Sequence, residues 1–352
     1  MNDDDIHPWN LDIWSKLVGH SDRSTHAWLF AGNAGLGKRA LASRLARFYL
    51  SERAALSDRR RQRGGEMFRA GTHPDLHVLM PEELVTQALV PVSAYAARYA
   101  DPPSKGAKLK SVITVDQVRL LIARLATHAH AGGMRVVMVD PADRLYPNAA
   151  NALLKILEEP PGDTVFILVT EDRARLPATI RSRASRVDFR VPARSLALKW
   201  LSQRVEQSHN PATLLEWAGG APLAAIRLLK NDYGSVRGRL ADGVQALWRA
   251  TSDPISVAAG WQALGVDQSL EWLHGFVADL IKVSMVPAPP ELFNPDLRIL
   301  LQESANRINL PRTFDLWDRI GVMRREIDGP LDDKLMLEDI IIDLYEIVPV
   351  PS

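Results

Sequence analysis

A glycine-rich segment near the start of the sequence has the residue types and spacing of a phosphate-binding loop. It follows a short apolar stretch, leads into a helical pattern and contains Gly32, Gly35, Gly37 and Lys38. Glycines let such a loop fold closely around phosphates, backbone amides at the start of the next helix point at the anion, and the lysine reaches the outer phosphates. The spacing predicts descent from a nucleotide-binding P-loop, with an ordinary glycine-rich turn as the alternative.

Two positions depart from what a nucleotide-hydrolysing site needs. The P-loop pattern places Ser or Thr after the lysine to bind Mg²⁺, but Arg39 stands there, and a guanidinium has only hydrogen-bond donors. Asp140 ends a predicted strand, where such proteins place an acidic residue near the metal, although a strand-end aspartate is as often a helix cap. The next residue, Pro141, cannot act as the base that activates water. Both departures argue against ATP hydrolysis and leave open whether the loop binds nucleotide.

The residues around the loop alternate between strand and helix patterns, which predicts how the loop is positioned. Short, almost continuous apolar runs are typical of parallel strands buried on both faces, and they occur at residues 27–31, 76–80, 136–139, 165–169 and 187–191. Helical spacing of apolar residues predicts helices over 115–129 and 149–158. Because alternating strands and helices indicate βαβ units, residues 1–191 are predicted to form a doubly wound α/β domain.

The strand patterns end near Pro192, and helical periodicity continues to the end of the chain. We expect two or three short helices between residues 195 and 230 and a longer all-helical region over 233–352. The last helix, near 335–347, has a wide apolar stripe and is predicted to pack into a helical core.

Two basic stretches are predicted to be irregular. Ser51–Glu66 is rich in Arg, Ser and Gly, and Ala100–Ser111 has two prolines and three lysines, Lys105, Lys108 and Lys110. The second stretch lies in a broader insertion over 84–112, to which the pattern assigns no structure. A basic run is more often a solvated surface than a DNA contact, so we expect these residues to face solvent.

The composition of the 352 residues restricts the class of protein. With 46% apolar and 24% charged residues the chain is ordinary globular material, and about 100–200 residues per domain predicts two or three domains. A net charge of +1 favours neither nucleic acid nor an anionic membrane as a partner. The absence of cysteine excludes disulfides and thiolate metal ligands. An acidic N-terminus without an apolar core, and no apolar run of about 20 residues, predict a cytoplasmic protein with no membrane segment.

Several longer motifs resemble one known family. The block Ala149–Pro161, AANALLKILEEPP, and the run Thr179–Arg183, TIRSR, look like the clamp-loader ATPase module of the AAA+ class. Ala70–Asp75, AGTHPD, and His128–Gly133, HAHAGG, narrow the likeness. The whole chain resembles the family of delta-prime subunits of the bacterial DNA polymerase III clamp loader, most strongly between residues 26 and 190.

The resemblance implies an AAA+ P-loop domain, a small helical lid over residues 192–232 and a helical collar over 233–352. Through the collar, subunits of this family join ATPase subunits and the delta subunit in a hetero-pentameric ring. The ring opens a sliding clamp and places it on primed DNA during replication. In this family the delta-prime subunit does not itself need to hydrolyse ATP, so bound ATP or ADP would not be turned over efficiently. Polymerase chemistry belongs to other subunits of the DNA-directed DNA polymerase holoenzyme.

The same resemblance assigns roles to particular residues. Arg183 matches the arginine of the family's Ser-Arg-Cys motif, a finger that reaches the nucleotide of the adjacent subunit and neutralises charge on the transferring phosphoryl group. Ala184 replaces the cysteine, and the alternative is an arginine that caps the preceding helix or forms a surface ion pair. Thr170 matches the position that senses the outer phosphate. Leu223 stands where ATPase relatives carry a sensing arginine, which again disfavours turnover.

The family commonly carries a zinc module with four cysteines before the Gly-Thr-His-Pro segment, and this chain has no cysteine there. Zinc held by thiolates is therefore excluded. His73 and His77 could ligate a metal in principle, but we expect both side chains to be structural.

Two other functions use the same kind of fold. One is an AAA+ motor that hydrolyses ATP itself, and the other is a switch that senses nucleotide without turning it over. The residues Arg39, Pro141 and Leu223 disfavour the motor at three separate points. The switch would bind nucleotide without turnover and couple its occupancy to the choice of partner.

Overall fold

The chain forms two compact units, residues 1–196 and 197–352. The first combines a sheet with helices, and the second is helical. The division of the helical part into a lid over 192–232 and a collar over 233–352 stays a prediction. The computed structural model describes residues 6–19, 25–52, 57–86, 88, 91–100, 109–126, 134–206, 209–286, 289, 292–326 and 332–348.

Five parallel strands form the sheet of the first unit: β1 (Ala27–Ala31), β2 (Leu76–Leu79), β3 (Arg135–Val139), β4 (Thr164–Thr170) and β5 (Ser185–Asp188). Their order across the sheet is β2-β3-β4-β1-β5. Strand β1 thus lies between β4 and β5, and its last residue, Ala31, pairs with Thr170 of β4 and Asp188 of β5. The carboxyl ends of the three strands therefore meet where the glycine-rich loop begins.

Helices cover both faces of this sheet. The helices of the first unit are α1 (Leu11–Gly19), α2 (Lys38–Ser51), α3 (Asp58–Arg69), α4 (Glu82–Val85), α5 (Val92–Ala96), α6 (Val115–Leu125), α7 (Pro147–Glu158) and α8 (Ala178–Arg181). Leu29, Val137 and Phe166 of the strands join a buried cluster with α6 and α7, and α2 packs against β1, β3 and β4 on the opposite face. Successive strand residues point to opposite faces, so burial on both sides explains the nearly continuous apolar strands. The predicted doubly wound α/β class is confirmed.

The prediction that the stretch Ser51–Glu66 is irregular is wrong. Residues from Asp58 onward form α3, which packs against α2. A Cβ on Gly64 would lie 3.1 Å from both the Leu50 carbonyl oxygen and Ser51 Cβ. A glycine that weakens a helix in isolation thus permits close packing of α3 on the end of α2, and tertiary contact outweighs local propensity.

The insertion over 84–112 contains structure that the pattern did not assign. It holds part of α4 and all of α5, and Lys110 forms an ion pair with Glu82 at 3.2 Å. Lys105, Lys108 and the motif His128–Gly133 lie outside the described residues. Strand β5 also differs from the prediction over 187–191, since it begins at Ser185 and ends at Asp188.

The remaining helices are α9 (Arg194–Ser202), α10 (Pro211–Trp217), α11 (Pro222–Lys230), α12 (Tyr233–Trp248), α13 (Pro254–Gln262), α14 (Val266–Met285), α15 (Arg298–Ala305), α16 (Leu310–Glu326) and α17 (Asp333–Glu346). Helix α14 packs against α15 and α16, and α17 packs against α13. The indole Nε1 of Trp248 donates to the Leu344 carbonyl oxygen at 3.1 Å and ties α12 to α17. The predicted all-helical region is confirmed. None of the described helices is both long and apolar enough to cross a bilayer.

Candidate functional site

Three glycines shape the loop between β1 and α2. Gly32, Gly35 and Gly37 have φ values of +152°, +78° and +85°, where a side chain with a Cβ is strained. A Cβ on Gly32 would lie 2.4 Å from the Phe189 carbonyl oxygen, and one on Gly37 would lie 2.5 Å from His7 Cδ2. Glycine is thus needed for close packing as well as for the backbone conformation. The predicted strand–loop–helix arrangement is present.

The segment His7–Asn10 packs directly on the end of this loop. The indole Nε1 of Trp9 and the amide Nδ2 of Asn10 donate to the Leu36 carbonyl oxygen at 3.0 and 2.9 Å. His7 and Asn10 are buried, and the His7 and Trp9 rings stack with centroids 4.8 Å apart. The chain's own N-terminal residues therefore cover the loop at Leu36 and Gly37.

Lys38 is directed at its own loop. Its side chain is buried, and Nζ donates to the carbonyl oxygens of Gly32 and Asn33, both at 2.6 Å. In a nucleotide-binding P-loop the same ammonium reaches the outer phosphates. A phosphate bound to this lysine would have to compete with two existing hydrogen bonds.

Arg39 and Asp140 form an ion pair at the place where a P-loop site holds its metal. The Arg39 Nε donates to Asp140 Oδ2, and the carboxylate is buried while the Arg39 side chain is 38% exposed. The pair joins the position of the metal-binding hydroxyl to that of the metal-binding acid. A buried carboxylate needs a countercharge, and the guanidinium provides it. The residues present therefore do not fit Mg²⁺ bound with nucleotide in the usual manner.

Thr170, predicted to sense a phosphate, is bonded within the chain. The buried hydroxyl donates to Asp143 Oδ1 at 2.7 Å, and the same oxygen accepts the Glu171 amide at 3.0 Å. Asp143 lies in the short 3-10 helix Ala142–Arg144 that follows β3. The structure thus brings Thr170 close to the end of β3, as the strand order requires, but its hydroxyl already donates a hydrogen bond to Asp143.

Arg183 lies at the surface of the first unit. Its Nη1 donates to the Thr179 carbonyl oxygen of α8 at 2.8 Å and to Ser182 Oγ at 3.3 Å. Its Nη2 forms an ion pair with Glu158, the last residue of α7. The helix-end contact and the surface ion pair of the alternative interpretation are both present, and the Arg183 side chain is 36% exposed.

The two histidines considered as metal ligands lie in the interior. His73 Nδ1 accepts the Asp75 amide at 3.2 Å, and His77 Nδ1 hydrogen-bonds to the Tyr99 hydroxyl. Burial lowers the pKa of both imidazoles, that of His77 to about 4. Within the described part of the chain, no group of three or more His, Asp or Glu side chains is arranged to hold a metal ion.

Sequence reasoning missed two contributions to these regions. The N-terminal segment His7–Asn10 has no chemical motif, since a proline, a tryptophan and an asparagine gain their role only by packing on the loop. Glu158 was visible as part of the Ala149–Pro161 block, but nothing in the sequence indicates its pairing with Arg183. Both contacts join residues that are more than 20 positions apart.

Comparisons with known proteins agree with this architecture over most of the chain. A family model described as DNA polymerase III, delta subunit, matches residues 12–193, and one described as DNA polymerase III, delta subunit, C terminal, matches residues 235–346. The DNA polymerase III subunit delta' of Pseudomonas aeruginosa is 31% identical over 343 residues, which cover 96% of this chain and 97% of that protein. The same subunit of Escherichia coli is 29% identical over 98% of both chains, and that of Yersinia pestis is 32% identical over 91% of this chain and 89% of its own. The chain belongs to the family of DNA polymerase III delta' subunits.

Proposed function

We propose that this chain is a non-hydrolysing subunit of a clamp loader, which supplies Arg183 to the ATP site of a neighbouring ATPase subunit. The observation that carries the proposal is the ion pair between Arg39 and Asp140. In this ion pair, the two residues at the positions that would bind a metal in a P-loop site bind each other instead. A protein that keeps the nucleotide fold but occupies its metal site internally is suited to a structural role in an assembly.

Three further features support the lack of turnover. The Lys38 ammonium is held by two carbonyl oxygens of its own loop, and the segment His7–Asn10 covers the loop at Gly37. Pro141 stands where a hydrolysing relative would have its base. We propose that ATP or ADP, if it binds at all, does so without efficient hydrolysis and without the usual Mg²⁺ coordination.

Arg183 differs from Arg39 in the carboxylate that holds it, because the Glu158 side chain is 48% exposed and the Asp140 side chain is buried. A planar cation with five N–H donors can contact a phosphate of another subunit while it keeps contacts within its own chain. An arginine finger is worth on the order of 10³–10⁵ in the rate of phosphoryl transfer. The family implies that the partners are the ATPase subunits and the delta subunit of a five-membered ring, joined through the helical region from residue 233.

In this proposal the assembled ring, and not the isolated chain, places the sliding clamp on primed DNA. The chain's part is to complete one ATP site and to hold its place in the ring. The relatives are named as subunits of DNA polymerase III, and DNA synthesis itself is assigned to other subunits of that holoenzyme.

The test is an Arg183→Ala variant in a reconstituted loader. We expect normal assembly but slower ATP hydrolysis, by on the order of 10³-fold or more at the site next to this chain. The total rate of the loader should fall by the fraction that this one site contributes to it. Arg181→Ala is a matched control, since it removes the same charge from the last residue of α8, two positions before Arg183. An unchanged rate with Arg183→Ala would remove the trans role. ATP hydrolysis by the isolated chain that Lys38→Ala abolishes would favour the motor instead.

A further inference from the structure

Glu158 is the residue that the structure places against the proposed arginine finger. Its carboxylate pairs with Arg183 Nη2, while Nη1 donates to the Thr179 carbonyl oxygen and to Ser182 Oγ. The guanidinium is thus held at both terminal nitrogens. These contacts use three of its five N–H groups, which leaves the Nε–H and one Nη2–H for a phosphate. We infer that Glu158 is a positioning residue, which orients Arg183 toward the neighbouring ATP site before that subunit arrives.

The backbone segments that carry Glu158 and Arg183 are packed against each other through a buried cluster. Glu158 ends α7, and the Arg183 backbone amide donates to the Ile180 carbonyl oxygen of α8 at 3.2 Å. Ile180 is fully buried in one cluster with Leu153 and Leu157 of α7. Because the two helix ends are fixed to each other through this cluster, the distance between the Glu158 and Arg183 backbones is set by the core and not by the surface.

Orientation has a kinetic value for a long side chain. An arginine side chain loses substantial rotamer entropy when it becomes fixed on a partner. If it is already held in the free chain, less entropy is lost when the partner binds. Ordering one rotamer-rich side chain corresponds to about a two- to twelvefold change in rate. This is the size of the contribution expected from Glu158, well below that of the guanidinium itself.

The position of the ion pair is consistent with this role and not with a stabilising one. Side-chain exposures of 36% for Arg183 and 48% for Glu158 make this a surface pair, and such pairs contribute little to folding. A weakly bound carboxylate can hold an arginine in one direction without preventing it from donating to a phosphate of higher charge. Loss of Glu158 should therefore leave the fold intact.

This inference rests on the proposed function, and the experiment separates the two. We would measure kcat and KM for ATP in the reconstituted loader with Glu158→Ala, Glu158→Gln, Arg183→Ala and the double variant Glu158→Ala/Arg183→Ala. We expect Glu158→Ala to lower kcat about two- to twelvefold at the neighbouring site with KM nearly unchanged, because the finger acts on the transferring group. Glu158→Gln, which keeps an acceptor oxygen, should retain most of the rate. The double variant should be no slower than Arg183→Ala.

A matched control is Glu159→Ala, which removes the same charge one position away at an exposed site and should leave the rate unchanged. A Glu158→Ala loader as fast as the wild type, beside a slow Arg183→Ala loader, would overturn the positioning role and leave the proposed function standing. A further loss on adding Glu158→Ala to Arg183→Ala would overturn it as well, since the effect would then not pass through the arginine. If Arg183→Ala is itself without effect, the proposed function fails.

Discussion

Two arginines of the first unit meet carboxylates in opposite settings. Arg39 pairs with Asp140, whose side chain is 4% exposed, whereas Arg183 pairs with Glu158, whose side chain is 48% exposed. The two arginine side chains are exposed to a similar degree, at 38% and 36%. The difference between the two sites therefore lies in the burial of the acid and not in the arginine.

This difference decides which cation is free to act on another molecule. A buried carboxylate that loses its countercharge is left unpaired in a medium that solvates it poorly, so its partner is bound to the fold. An exposed carboxylate is solvated with or without its partner, and the pair can be exchanged at little cost. We call the P-loop with the Arg39–Asp140 pair the closed corner, because its carboxylate is buried, and the Arg183–Glu158 pair the open corner, because its carboxylate is exposed.

The largest effect should come from a substitution that disrupts the packing of the N-terminal segment on the P-loop. Gly37→Ala adds a Cβ at φ +85°, 2.5 Å from His7 Cδ2 and 2.9 Å from Asn10 Nδ2. Backbone strain and overpacking together should cost about 2–4 kcal/mol. Amide hydrogen exchange of β1 and β4, measured by mass spectrometry, should report the loss as a lower opening free energy.

Gly65→Ala is the matched control for this variant. Gly65 lies within α3, and a Cβ there would have no atom within 4 Å, so the change should be neutral or stabilise by up to about 1 kcal/mol. Equal exchange protection in both variants would show that the N-terminal segment does not close the loop in solution.

A second closed group can be tested by pH. Burial lowers the pKa of His77 from 6.5 to about 4, and Asp75 opposes the shift while Arg124, Arg98 and Arg135 add to it. Well above pH 6.5 the imidazole is neutral in both states, and as the pH falls through 6.5 toward 4 the unfolded chain takes up the proton first. The free energy of unfolding should therefore decrease over this window, by on the order of 3 kcal/mol from this residue.

Urea unfolding at several pH values between 4 and 7 would measure that decrease. The His77→Gln variant has no titrating group at this position, so its curve should be flatter than that of the wild type by about this amount. Parallel curves for the two proteins would contradict the buried, neutral state of His77.

The smallest effects come from the direct comparison of the two ion pairs. Arg39→Ala should cost about 1–2 kcal/mol, since it leaves a buried carboxylate but removes an arginine that is partly screened by solvent. Glu158→Ala should change stability by less than about 0.5 kcal/mol. Hydrogen exchange of β3 next to Asp140 and of α7 next to Glu158 would measure both, and equal costs would abolish the distinction between the closed and the open corner.

Sequence patterns were sufficient for the sheet and for most helices of the chain. Strand β1 coincides with its predicted range, β2 and β3 differ by one residue at one end, and β4 is longer by one residue at each end. Strands buried on both faces must be almost wholly apolar, so their sequences leave few other interpretations. Helix α3 was missed because its arginines and glycines carry no apolar periodicity, and its packing on α2 is a tertiary effect.

The chemistry could be predicted only in part. Arg39 and Pro141 were sufficient to predict that the P-loop lacks the usual metal-binding hydroxyl and base, and the trans role of Arg183, which the family resemblance implies, stays a prediction. The contacts of Lys38 with its own loop and of Thr170 with Asp143 were not predicted. Hydrogen-bond partners depend on which side chains a fold brings within about 3 Å, and spacing along the chain does not contain that distance.

The sequence by itself determined the strand–loop–helix frame, the absence of thiolate ligands and the replacement of the metal-binding hydroxyl by a guanidinium, because each of these follows from residue type and local order. Only the tertiary structure decided that Arg39 meets a buried acid and Arg183 an exposed one. The reason is physical: the strength and exchangeability of an ion pair depend on the solvent around its carboxylate, and burial is a property of the folded chain as a whole.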